Sequence, residues 1–109
     1  MTVALFLIQR ISAAVLAIAV VVHLATIIYA VRGGLTAGEI LARTEGNAAY
    51  VAFYMLFVLA VAVHAPIGLR NVLREWLGWK GRTCDGALAA FAIVLFALGG
   101  RAVAALYLS

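Results

Sequence analysis

The chain has 109 residues and a formal net charge of +4, and 68% of its residues are hydrophobic while only 11% are charged. A soluble domain carries roughly 45–50% apolar and about 25% charged residues, so this composition excludes an ordinary soluble fold and points to an integral membrane protein in a lipid bilayer. The basic residues are scattered rather than striped, which argues against a nucleic-acid partner, and the single cysteine, Cys84, excludes an internal disulfide or a CxxC motif.

A spanning helix needs about 20 mostly apolar residues. The opening segment "MTVALFLIQR" lacks a basic stretch ahead of its apolar residues, because Arg10 follows them. It reads as the retained start of a span rather than a signal peptide. Ile11 to Val31 supplies 21 residues, and "ALFLI" before Gln9 extends the run. The connection "RGGLTAGEILARTEGN" follows, with Gly33-Gly34 as a stop signal. Within it, Thr36 and Glu39 have the spacing of a capping box for a short interfacial helix through Arg43, the alternative being an unstructured loop.

Ala48 to Leu69 supplies 22 residues without a formal charge. The second connection, "NVLREWLGWKGRTCDG", carries Arg74, Lys80 and Arg82, with Arg70 at its edge and Trp76 and Trp79 as interface markers. Ala87 to Leu108 supplies another 22 residues, with Arg101 close enough to the end to snorkel. The expectation is one all-α transmembrane domain over residues 1–109, with three spans at about 4–31, 48–71 and 86–108. The excess of basic residues in the second connection places that loop and the amino end in the cytoplasm, by the positive-inside rule.

Two histidines lie inside spans. His23 is late in the first and His64 late in the second, which puts them towards opposite faces of the bilayer. Counted from the span centres at about 1.5 Å per residue, the imidazoles are separated by roughly 16 Å along the membrane normal, too far to share one metal or one haem. Ionisable residues in a membrane are costly and mark functional sites by default, although a histidine can also serve as a hydrogen-bonding residue between helices. Ala60 and Gly68 flank His64 at four residues, and Ala19 precedes His23 by four. Such small residues leave room for a flat macrocycle and equally suit helix packing. Neutral imidazole is a good axial ligand for haem iron, and at these depths each histidine needs a second ligand from another chain. Pro66 removes one backbone hydrogen bond beside His64, and the carbonyl so freed is a candidate partner for the imidazole.

The segment "HAPIGLR" resembles the H-x-x-x-[GA]-x-R pattern in the second helix of cytochrome b anchor subunits of succinate dehydrogenase and quinol:fumarate reductase. "QRISAAV" is similar to the H/Q-R-x-S-G entry into the first helix of the same anchors, and the interval from Gln9 to His23 is similar to that in dihaem members. The resemblance covers roughly residues 8–76, and the three-helix plan extends it.

It implies half of a heterodimeric anchor bundle in the inner membrane, sharing two haems b with a second small membrane subunit. His64 is implied as the axial ligand of the inner haem and His23 as that of the outer haem. Gln9, Arg10, Ser12 and Arg70 are implied to lie near haem propionates or a quinone. The implied role is electron transfer between an iron–sulfur subunit, itself paired with a flavoprotein, and the quinone pool. No flavin or cluster motif is present in this chain, so dicarboxylate chemistry belongs to those partners.

There are departures from the pattern. Phe6 stands one turn before Arg10, where monohaem ubiquinone-reducing members often carry serine, and Ala13 stands where the family has glycine. Asn71 follows Arg70, where some members have histidine. The alternative functions are a small proton-coupled multidrug transporter and a haem-free anchor or assembly protein. Against the transporter, all four acids (Glu39, Glu45, Glu75 and Asp85) fall in the connections. Cys84 is read as an inert thiol.

Overall fold

The computed structural model describes residues 2–108. In chain order these form α1 (Val3–Gly33), α2 (Ala37–Thr44), α3 (Ala48–Val72), a π-helical turn (Leu73–Leu77) and α4 (Arg82–Leu108), and no strand occurs among the described residues. α1, α3 with its π-helical extension, and α4 are each long and apolar enough to cross a bilayer. The chain is a three-span membrane protein, as its composition predicts.

Capping groups carry the helices beyond their apolar runs. The Thr2 hydroxyl accepts the Leu5 N–H at 3.2 Å, so α1 starts at Val3. It ends where Gly34 turns to φ 116 and donates its N–H to the Ala30 carbonyl at 2.9 Å. A Cβ at Gly34 would collide with the Glu39 carboxylate, so glycine is needed there on both counts. α4 begins at Arg82, ahead of the apolar run expected from about residue 86. The Asp85 N–H bonds the Gly81 carbonyl at 3.0 Å, and the Asp85 carboxylate sits in the first turn, where the helix dipole favours it.

α2 is a real helix, and the capping box forms. The Thr36 hydroxyl accepts the Glu39 N–H at 3.2 Å and lies 2.7 Å from Glu39 Oε1. Its far end is pinned to the end of α4. Thr44 Oγ1 lies 3.1 Å from the Leu106 carbonyl, and the Gly46 N–H donates to the Tyr107 carbonyl at 3.0 Å. Arg43 bonds the Gly34 carbonyl and lies over the Tyr29 ring at 5.9 Å. The polar connection thereby folds back on the helices it joins.

α3 lies between α1 and α4 and runs antiparallel to both, while α1 and α4 hardly meet. Lipid tails are as apolar as side chains, so close contact of small residues has to hold such helices together. Ala19 is only 4% exposed, and Ala60, Ala62 and Pro66 are buried. At Gly99 a Cβ would sit 2.7 Å from Val58 Cγ1, so α4 approaches α3 there only because no side chain intervenes. Ile18, Val21, Ile93 and Leu98 face outward, the surface that acyl chains cover. Ala19 and Ala60, small residues expected to suit either a macrocycle or helix packing, are both buried in the single chain. Pro66 lies within α3 without ending it.

Candidate functional site

Two polar stations interrupt the apolar contact between α1 and α3, one at each histidine. At the first, Ser12 of α1, 7% exposed, meets His64 of α3 with Oγ 3.2 Å from Nδ1. The same hydroxyl donates to the Gln9 carbonyl at 3.0 Å. A serine carries one proton. With that proton on the Gln9 carbonyl, the imidazole must be the donor in its bond to Ser12. In that arrangement His64 is the Nδ1–H tautomer, with the Nε2 lone pair free. The partner of His64 is Ser12 rather than the carbonyl freed by Pro66, because α1 packs directly across from it.

At the second station, His23 Nδ1 lies 2.9 Å from Tyr54 Oη. Tyr54 Oη is in turn 3.0 Å from Thr26 Oγ1, and that hydroxyl donates to the backbone carbonyl of His23 at 2.7 Å. A carbonyl only accepts, and a Thr26 proton placed on it sets the direction of the other two bonds. Tyr54 must then donate to Thr26, and His23 Nδ1–H must donate to Tyr54. The same count gives the same tautomer. The imidazole packs edge-on against Tyr54 and Phe57, each at 5.5 Å between ring centroids. It borders a cleft of about 770 Å³ between α1, α2 and α3, where Arg43, Asn47, Tyr50 and Tyr54 supply the polar lining.

Neither Nε2 makes a hydrogen bond, and neither counts among buried polar atoms without a partner, so both lone pairs are reachable from the surface of the single chain. The spacing can be read twice. Ser12 to His23 is 11 residues along α1 and Tyr54 to His64 is 10 along α3, about 16 Å and 15 Å at about 1.5 Å per residue. One ion cannot bridge that interval. Among the described residues no three of His, Cys, Asp and Glu cluster, so each imidazole offers a single ligand. A haem needing a second axial ligand from another subunit fits this donor set: one open Nε2 per station, with its ring oriented from behind.

Of the other residues picked out by motif, Gln9 and Ser12 share the His64 station. Gln9 lies across from Gly68, where a Cβ would be 3.4 Å from Gln9 Nε2, and Gln9 Oε1 is buried with no hydrogen bond. A side chain at Gly68 would thus meet only the end of Gln9, at ordinary contact distance. Arg10 points elsewhere, its guanidinium over the Phe6 ring at 5.7 Å. Arg70 turns towards α4, where Nε donates to Asp85 Oδ1 at 3.2 Å. Thr26 and Tyr54 escaped the sequence reading. Thr26 stood in plain view three residues after His23, but Tyr54 is linked to it only by the α1–α3 register.

A family model described as the succinate dehydrogenase/fumarate reductase transmembrane subunit matches residues 1–100. No curated protein and no solved structure matches the chain. With all three spans within reach of that match, and a histidine station at each end of the α1–α3 contact, the chain belongs to the succinate dehydrogenase/fumarate reductase transmembrane subunit family.

Proposed function

We propose that this chain is the haem b-binding anchor of its complex, with His64 ligating an inner haem and His23 an outer one. A second small membrane subunit supplies the opposite ligand of each. The observation that carries this reading is the shared geometry: each imidazole sets Nδ1 against a hydroxyl of the same chain, at 3.2 Å and 2.9 Å, and neither Nε2 has a hydrogen-bond partner. A structural histidine between helices needs no such consistency, whereas a ligand needs the Nε2 lone pair and a fixed ring plane.

Bound at these stations, haem b supplies one-electron transfer between an iron–sulfur subunit and the quinone pool. The role of this chain is to hold the iron ligands at two depths and exclude water around them. We place the amino end and the loop between α3 and α4 in the cytoplasm of an inner-membrane protein. Arg70, Arg74, Lys80 and Arg82 gather there, beside the 81% exposed Trp76. That face receives the iron–sulfur and flavoprotein subunits, where the dicarboxylate is handled. Gln9, Arg10, Ser12 and Arg70 lie towards this side, and the two guanidiniums suit propionates or a quinone carbonyl.

A pyridine haemochrome assay on the purified complex tests the reading, with two haems b expected per pair of anchor chains. His64→Ala should remove the inner haem spectrum and His23→Ala the outer one. One haem or none per pair would sink the dihaem assignment and favour a haem-free anchor with structural histidines.

A further inference from the structure

The two stations differ in how they hold the imidazole. At His64 a single hydroxyl intervenes before the proton reaches a backbone carbonyl. At His23 the contacts close a ring: Nδ1 to Tyr54 Oη at 2.9 Å, Tyr54 Oη to Thr26 Oγ1 at 3.0 Å, and Thr26 O–H back to the carbonyl of His23 itself at 2.7 Å. The loop begins and ends on one residue and crosses from α1 to α3 and back.

Burial of a tyrosine requires only that its hydroxyl find one partner. Tyr54 has two, at 2.9 and 3.0 Å, and a Thr26 proton on the His23 carbonyl directs both towards Thr26. Its ring is held as well, stacked with Phe57 at 13° between planes and edge-on to Phe53 at 4.9 Å. A phenol that has given its own proton away is polarised into a better acceptor. The His23 imidazole therefore faces a phenol oxygen oriented by Thr26.

We propose that Tyr54, clamped by Thr26, is a positioning residue that sets the tautomer and electron-donating strength of His23, and so the reduction potential of the outer haem. The proposal rests on the reading of His23 as a haem ligand. An acceptor on Nδ1–H makes an imidazole a stronger donor to iron and favours the ferric state, and loss of such an outer partner typically costs 10–100-fold in metal affinity. Tyr54→Phe keeps the ring and removes the hydroxyl that faces both His23 and Thr26. It should change the ferric-to-ferrous ratio at fixed poise on the order of tenfold, an upward shift of about 59 mV for a one-electron couple.

The experiment is a spectroscopic redox titration of the purified complex, with the two waves assigned by His23→Ala and His64→Ala. Tyr54→Phe and Thr26→Val are expected to raise the outer midpoint and leave the inner one in place, while Thr26→Ser keeps the wild-type value. Should Tyr54→Phe lose the outer haem, the Thr26 pair decides, since Val and Ser differ there in the hydroxyl. An unmoved outer midpoint in Tyr54→Phe, or both waves moving together, overturns the proposal. Survival of the outer haem in His23→Ala overturns the ligand reading instead, and with it the proposal.

Discussion

At the scale of single residues, a hydroxyl does for each histidine what the imidazole cannot do for itself. A neutral imidazole carries one proton with two places to put it, and only an acceptor at Nδ1 decides between them. Ser12 is that acceptor for His64. Ser12→Ala should leave the backbone intact but free the ring to turn and change tautomer. The inner haem wave is expected to rise, or the inner haem to wash out on the order of tenfold more easily, with the outer wave unmoved. Ser12→Thr retains the hydroxyl and should behave as wild type, checked by the same titration and by haem content after detergent dilution. Arg70 illustrates the opposite case. Its bond to Asp85 lies at the surface, where an exposed ion pair contributes about 0–1 kcal/mol, so it leaves the guanidinium free to change partner in an assembly.

The helices themselves are held by what their contact residues lack. Gly99 has no Cβ, and adding one would place it 2.7 Å from Val58 Cγ1 and 2.8 Å from Cγ2. Gly99→Ala should therefore push α4 from α3 and destabilise the chain by about 1–3 kcal/mol, the usual cost of overpacking a tight contact. Val58→Ala makes room on the facing helix. The double variant Gly99→Ala/Val58→Ala is expected to recover part of the loss, measured as the midpoint of detergent-induced unfolding of the complex. A purely additive loss would show that Val58 is not the obstruction. At the end nearest α2, a different device operates: Thr44, Gly46 and Arg43 tie the connection to backbone carbonyls that helix ends would otherwise leave open.

For the molecule as a whole, the central position of α3 organises everything else. It carries His64 and Tyr54 towards α1 and Val58 and Arg70 towards α4. Cys84, at the start of α4, is completely buried, at 0% exposure. That burial makes the packing of the α3–α4 loop end testable. In the native complex a maleimide should modify Cys84 only as fast as that end opens locally, while detergent-unfolded protein reacts at once. Fast stoichiometric labelling of the folded complex would contradict the packing of α4 on α3.

The sequence alone determined the membrane setting, the three spans and the separation in depth of the two histidines. Hydropathy over about 20 residues and a fixed rise per residue are local properties, readable without knowing what packs on what. The Thr36–Glu39 capping box was legible for the same reason, since its partners are three residues apart. What lay beyond local reading was every bond between helices. The chain does not announce that Ser12 faces His64 or that Tyr54 faces His23, because the α1–α3 register is a property of the packed pair of helices. Gly68 and the two alanines were visible as small residues, yet whether smallness served a ring or a neighbouring helix was a tertiary matter. The tautomers were out of reach for the same reason: a proton on an imidazole is placed by its neighbour across the interface, and only the packed helices bring that neighbour within 3.2 Å at His64 and 2.9 Å at His23.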